Sequence, residues 1–290
     1  MPKPTMTTGQ LHRVTAFSND PAGGNPAGVW IGDVHPGAAE MQAVAREVGF
    51  SETAFVEPAV GVVRRVRYFS PEAEVSFCGH ATIATGVVLG ESCGDGTYQL
   101  HTSVGVVPVS VGLVHGHREA ALTSVVPRHE PASDALVADV LDALHWKRSE
   151  LDPSIPPVRA YAGAWHLVLA VRTADRLAEL AYDFDRLKLL MLANDLTTLQ
   201  LIWREGETLF HARNPFPVGG VVEDPATGAA AAALGGYLRD ARLITAPMTF
   251  TIRQGVTMGR PSELAVEVPA SGGIVVRGTA VSIGAPSSYP

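Results

Sequence analysis

Four ionisable side chains in this sequence sit where their neighbours could put them to chemical use: Glu52, Cys78, His80 and Asp224. Glu52 lies in Ser51-Glu52-Thr53, at the start of a stretch that is otherwise apolar through Val56. A carboxylate at the edge of an apolar strand is suited to giving and taking a proton. The plainer reading is a solvated strand-end carboxylate, or one that caps the turn after Gly49. His80 follows Gly79 at a helix start, where a neutral imidazole can donate a hydrogen bond to a carbonyl oxygen as negative charge develops on it. Asp224 precedes Pro225 and a helix beginning near Ala226, in what reads as the same relative position in the second half. The plain alternative there is a helix N-cap, worth about 1 kcal/mol. Cys78 could serve as nucleophile or base, because thiolates are stabilised at helix N-termini. Its commoner role is that of a small buried residue. His115-Gly116-His117 could place two rings on one face of a strand, but no third ligand lies nearby in sequence, and a turn fits better.

The elements that must position these groups come in two sets. Phe77-Cys78-Gly79-His80-Ala81-Thr82 and Glu223-Asp224-Pro225-Ala226-Thr227-Gly228 each carry a Gly-bearing turn straight into a run of Ala, Gly and Thr. A helix of such small residues can be closely enclosed on all sides, and its free N-terminal amides suit a carboxylate or enolate oxygen.

In the first half, strands are expected at Leu11 to Phe17 and Ala27 to Ile31, a helix from Gly37 to Val48 ended by Gly49, and paired strands at Ser51 to Val56 and Val62 to Phe69. The small-residue helix, Gly79 to Leu89, comes next, followed by strands at Thr97 to Thr102, Val104 to Val111 and Glu119 to Val125. Pro127 to Pro131 reads as a linker. The second half repeats the plan: a helix at Ser133 to Leu144, strands at Val158 to Ala162 and His166 to Val171, and a helix at Phe184 to Asn194. Strands at Leu199 to Arg204 and Thr208 to Arg213 lead through a loop, Asn214 to Val222, to the Asp224 turn. Strands at Val266 to Val268 and Ile274 to Ile283 close the chain. The matching order implies an internal duplication.

Composition narrows the function classes. The chain has 290 residues, 46% of them apolar, and a net charge of −7, so it should not track a phosphate backbone or an anionic membrane. No apolar run is long enough to span a bilayer. Met1 to Gln10 lacks the layout of a secretory signal, which points to the cytoplasm. Two cysteines, Cys78 and Cys93, are too few for a disulfide scaffold, and both should be reduced. Neither a Walker-type loop nor a dinucleotide fingerprint occurs. The expected partner is a small molecule rather than nucleic acid or membrane.

Six segments together are familiar: Gly24-Asn25-Pro26-Ala27-Gly28-Val29, Ser51-Glu52-Thr53-Ala54-Phe55, Arg67-Tyr68-Phe69-Ser70-Pro71 with Glu74, Phe77 to Thr82, Glu223 to Gly228, and Gln254-Gly255-Val256-Thr257-Met258-Gly259-Arg260-Pro261-Ser262. In content and order they resemble the phenazine-biosynthesis PhzF-like family over nearly the whole chain. The resemblance implies an α+β fold of two pseudo-symmetric diaminopimelate-epimerase-like domains, each a β-barrel-like sheet wrapped around a central helix. The expected domains are residues 1–128 and 129–273, with a strand in 274–290 returning to the first. It also implies an active site in the interdomain cleft, a cofactor-free isomerase with no metal, and a homodimer.

Carried over residue by residue, the resemblance makes Glu52 the acid/base that moves a proton between carbons. His80 and Asp224 join it as catalytic groups. Asn25, Cys78, Gly79, Thr227, Gly228 and Ala229 would contact substrate. Two departures matter: the family's phenazine isomerases have serine where this chain has Ala229, and Asp224-Pro225 stands where two-thiol epimerases of the same fold have their second cysteine.

A lone glutamate favours a same-face proton shift, since inversion normally needs an acid and a base on opposite faces. Without a cofactor to hold carbanion charge, the substrate must delocalise it, which argues for an unsaturated, amino-acid-like carboxylate. An amino-acid racemase or epimerase, and a non-catalytic binding protein of the same fold, stand as alternatives.

Overall fold

The structure is a computed structural model and describes residues 9–285 and 287–289. The reading made of Met1 to Gln10 therefore falls, up to residue 8, outside the described residues. The chain forms two compact units: one holds the residues up to Leu122 and those from Arg277 onward, the other Thr123–Val276. The sequence had placed the junction at 128/129 and the return at 274.

In chain order the elements are β1 (Gly9–Ala16), β2 (Asn25–Gly32), α1 (Ala38–Val48), β3 (Glu52–Pro58), β4 (Val63–Phe69), β5 (Glu74–Val75), α2 (Gly79–Cys93), β6 (Gly96–Thr102), β7 (Gly105–Val114) and β8 (His117–Thr123). There follow β9 (Arg128–Pro131), α3 (Asp134–Ala143), β10 (Val158–Tyr161), β11 (Trp165–Val171), α4 (Ala174–Ala178), α5 (Phe184–Ala193), β12 (Thr198–Arg204), β13 (Leu209–Phe216), β14 (Val221–Asp224) and α6 (Gly228–Asp240). The last are β15 (Met248–Gln254), β16 (Ser262–Val268), β17 (Val275–Ser282) and β18 (Ser287–Tyr289).

In the first unit β1 runs antiparallel to β2, β2 parallel to β3, β3 antiparallel to β4, β4 parallel to β6, and β6, β7 and β8 antiparallel in turn. β17 pairs with both β8 and β1 and closes these strands into a ring. In the second unit β9 flanks β10 antiparallel, β10 runs antiparallel to β11, β11 parallel to β12, β12 antiparallel to β13, β13 parallel to β15, and β15 antiparallel to β16. Strand for strand the orders agree: β10, β11, β12, β13, β15 and β16 repeat β1, β2, β3, β4, β6 and β7. The duplication therefore lies in pairing direction as well as element order.

Each barrel-like sheet wraps a central helix. Every residue of α2 from 80 to 90 is buried, as is every residue of α6 from 230 to 238. A helix enclosed on all sides must be apolar all round and slim. A Cβ on Gly86 would lie 2.8 Å from both Val109 Cγ1 and Ala120 Cβ, and one on Gly236 would lie 2.2 Å from Pro127 Cβ. On the outer faces, Trp30 and Phe55 pack against Met41, Val44 and Ala45 of α1, while Leu167, Leu169, Leu199 and Leu201 pack against α3 and α5.

Two expectations are corrected. Pro127 to Pro131 is not a linker, because Arg128–Pro131 is a strand in register with Val158–Tyr161. Its exposed, polar composition is that of a short edge strand. Asn214 to Val222 is not a loop: β13 runs on to Phe216, and β14 returns along it with a register shift at Pro215/Phe216. β15, for which no strand was expected, alternates buried Phe250 and Ile252 with less buried neighbours. His115 and Gly116 form the β7–β8 turn, at φ 49° and 85°.

Candidate active site

Glu52 opens β3, opposite Ala27 of β2. The adjoining Thr53 is fully buried against Gly28, where a Cβ would meet Thr53 Oγ1 at 2.6 Å. That close fit fixes the strand start and hence the carboxylate. Cys78 is the N-cap of α2, held extended at φ −144° and ψ 119°, and its side chain makes no capping bond. The thiol turns to its neighbours instead. Cys78 Sγ donates to Glu52 Oε2 at 3.5 Å and lies 3.3 Å from His80 Nδ1. His80 Nε2 is 3.4 Å from Glu52 Oε2 and 3.3 Å from Ser51 Oγ. The Cys78 and His80 side chains are buried, whereas Glu52 is 18% exposed. Solvent or a ligand thus reaches the cluster at Glu52 and the exposed Ser51 beside it.

A second layer holds the helix start. Thr82 Oγ1 donates to the Cys78 carbonyl at 2.7 Å, which commits its hydrogen, so Tyr68 Oη, 2.7 Å away, donates to Thr82. Burial pushes the Tyr68 phenol far up, with the Thr82 bond opposing, so Tyr68 is a fixed neutral donor. Neither Tyr68 nor Thr82 was marked as a positioning group in the sequence. Asn25, expected at the site, opens β2 and is buried.

In the second unit β14 ends at Asp224 and α6 begins at Gly228, with Thr227 as N-cap. Asp224 is therefore not the cap; its Oδ2 accepts from Thr227 Oγ1 at 2.5 Å. Gln254, at the end of β15 and 1% exposed, clamps this turn. Its Nε2 donates to the Asp224 carbonyl at 2.8 Å and to Thr227 Oγ1 at 3.1 Å, and its Oε1 accepts from the Thr227 N–H at 3.2 Å. An amide immediately before Gly255, at strand spacing after Phe250 and Ile252, is the signal that could have singled it out.

The repeat also corrects the pairing of His80 with Asp224. Glu74 lies opposite Phe69 and Glu223 opposite Pro215, and each central helix begins five residues after its glutamate, at Gly79 and Gly228. Counted this way, Cys78 matches Thr227, Asp224 matches Val75, and His80 matches Ala229. The structure brings Glu52, Cys78, Gly79 and His80 together in the first unit, and Asp224, Thr227, Gly228 and Ala229 together in the second.

Neither central helix has a side-chain cap, whereas Ser133, Thr173 and Asp183 cap α3, α4 and α5. First-turn amides left in this way are suited to an anionic oxygen. Both cysteines are free thiols, Cys78 buried and Cys93 exposed. Among the described residues, no helix is long and apolar enough to cross a membrane.

Two topologically repeated α+β units, each a barrel-like sheet around an enclosed helix with an uncapped start, define the diaminopimelate-epimerase-like fold. Residues 14–285 match the model of the phenazine biosynthesis-like protein family, and the chain belongs to that family. It is 32% identical to an uncharacterized isomerase of Deinococcus radiodurans, over 93% of this chain and 89% of that one. It is 30% identical to the trans-2,3-dihydro-3-hydroxyanthranilate isomerase of Pseudomonas aeruginosa, over 90% of this chain and 92% of that one. The crystal structure of a phenazine biosynthesis protein of the PhzF family from Bacillus anthracis superimposes with a TM-score of 0.87 at 24% identity, covering 98% of this chain and 100% of the other.

Proposed function

We propose that this chain is a cofactor-independent isomerase that moves a proton between carbons of a small, unsaturated, carboxylate-bearing, amino-acid-like metabolite, with Glu52 as the acid/base. The observation that carries the reading is the position of Glu52 Oε2, 3.4 Å from His80 Nε2 and 3.5 Å from Cys78 Sγ, on the one partly exposed side chain of a buried cluster. A carboxylate so placed can take a proton from one carbon and return it to another on the same face. His80 and the open amides of α2 offer hydrogen bonds to oxygen as charge moves onto the substrate. The Pseudomonas aeruginosa relative, named for isomerisation of a hydroxylated dihydroanthranilate, supports a conjugated cyclic amino acid as the substrate class. Asp224, Thr227, Gly228, Ala229 and Asn25 take substrate-orienting roles on the strength of the family resemblance. A cytoplasmic homodimer acting on a small molecule is part of the same proposal, with sedimentation velocity as the check on assembly.

The test is a panel of unsaturated amino acids incubated with the protein in heavy water and followed by proton NMR. A migrated double bond with deuterium at the new saturated carbon supports the reading, and Glu52→Gln should abolish it. Loss of optical activity from a saturated amino acid, with no bond migration, would identify a racemase instead.

A further inference from the structure

We infer that Glu52, Cys78 and His80 form a binding site for a thiophilic divalent cation of the zinc or cadmium kind, which occupies the site in competition with substrate. The three residues offer a carboxylate oxygen, a sulfur and an imidazole nitrogen, all within 4.8 Å of one another. Zinc bond lengths of about 2.3 Å to sulfur and about 2.0–2.2 Å to nitrogen and oxygen require tetrahedral edges of about 3.6 Å for S···N, about 3.4 Å for N···O and about 3.5 Å for S···O. The corresponding distances are 3.8 Å from Cys78 Sγ to His80 Nε2, 3.4 Å from that nitrogen to Glu52 Oε2, and 3.5 Å from that oxygen to the sulfur.

The three donors supply three corners of a tetrahedron once the imidazole turns about its Cβ–Cγ bond, because Cys78 Sγ lies 3.3 Å from Nδ1 and 3.8 Å from Nε2, beside the ring rather than ahead of either nitrogen's lone pair. The fourth falls to water or a substrate carboxylate on the solvent side of Glu52. Sulfur with imidazole selects zinc and cadmium over magnesium and calcium. On binding, the Cys78 S–H bond breaks and its proton leaves to solvent. The sulfur electron pair forms the bond to the metal, which stays divalent. A thiolate at a helix N-terminus is electrostatically favoured. Competition with substrate rests on the function proposed above, whereas metal binding by the cluster does not.

The experiment uses the full chain carrying Cys93→Ala, which removes the exposed second thiol at the far end of α2. Titration with Cd²⁺ should raise a thiolate-to-metal ultraviolet charge-transfer band that saturates at one equivalent. The band should vanish in Cys78→Ala, and the affinity should fall at least tenfold in both Glu52→Gln and His80→Ala. Equal affinity in those last two variants would show a thiol acting alone and overturn the site.

A second measurement needs no change in the cluster. Cd²⁺ should protect Cys78 from iodoacetamide at least tenfold, read by mass spectrometry of the Cys78 peptide, and Mg²⁺ should not. Absence of protection overturns the proposal even if a variant fails to fold. A protein that binds Cd²⁺ but isomerises nothing on the panel keeps the site and loses the proposed function; one that isomerises without protection does the reverse.

Discussion

Arg213 grips Glu223 through two parallel hydrogen bonds, Nε to Oε1 at 3.0 Å and Nη2 to Oε2 at 2.5 Å, and so ties β13 to the short strand that delivers Asp224. The first unit makes the same bond with equivalent residues. Arg67 on β4 holds Glu74 on β5, Nε to Oε1 at 2.7 Å and Nη2 to Oε2 at 2.6 Å. In each unit the arginine stands two residues before the position opposite its glutamate, and the central helix follows. Planar guanidinium and carboxylate groups fix orientation as well as distance, so the pair sets the direction from which each helix is entered.

The two copies should differ in energetic weight. Arg213 and Glu223 are only 13% and 3% exposed, so Glu223→Ala strands a buried charge and should cost about 3–5 kcal/mol. Arg67 and Glu74 are 36% and 43% exposed, and Glu74→Ala should cost no more than about 1 kcal/mol. Urea denaturation of the two variants measures the contrast. Equal costs would show that burial does not govern these pairs.

The repeat was legible because its signals are local. Apolar stretches mark β1 to β3, and runs of Ala, Gly and Thr mark both central helices wherever the strands sit. Register was not legible. Matching Asp224 to Val75 rather than to His80 requires knowing which residues of β5 and β14 face Phe69 and Pro215, and strands of two and four residues carry too little pattern to show it. The Glu52, Cys78 and His80 groups were each visible as chemistry, but their convergence depends on β3 starting beside the head of α2. Gln254 was hidden because its partners lie 27 to 30 residues away.

Cys78 and Glu52 can be separated by rate. The thiol donates one weak hydrogen bond to the carboxylate, so Cys78→Ala should slow isomerisation of an identified substrate by about tenfold. Glu52→Gln removes the proton carrier and should cost about 10³-fold or more. The check is kcat and KM for both variants. A larger loss at Cys78 would transfer the base role to the thiol.

Gln254 should act through the Asp224 turn. Gln254→Ala deletes three hydrogen bonds at a site 1% exposed and leaves the Thr227 N–H without its amide partner. A stability loss of about 1–3 kcal/mol is expected. Where the variant remains folded, KM should rise more than kcat falls, because the turn is assigned to orienting substrate. An unchanged KM would confine Gln254 to a structural role.

His166 should make the second unit sensitive to acid. The ring is fully buried on β11, with Nδ1 2.8 Å from Thr198 Oγ1 and Nε2 without a partner. Burial pulls the imidazole from its ordinary 6.5 down to about 3, with hydrogen bonding to the Thr198 backbone opposing, so the folded protein keeps it neutral. Unfolding returns the ring to water, where it takes up a proton below about pH 6.5. Between about pH 3 and 6.5 the unfolded state thus binds more protons than the folded one, and stability is lost as the pH falls through that window. His166→Gln removes the titration while keeping a polar side chain at the position. Its stability relative to the wild type, measured by urea denaturation, should improve by about 2–3 kcal/mol between pH 7 and about pH 4.5. A difference that stays constant with pH would show that the imidazole takes up its proton as readily in the folded protein as in the unfolded chain, contrary to its burial.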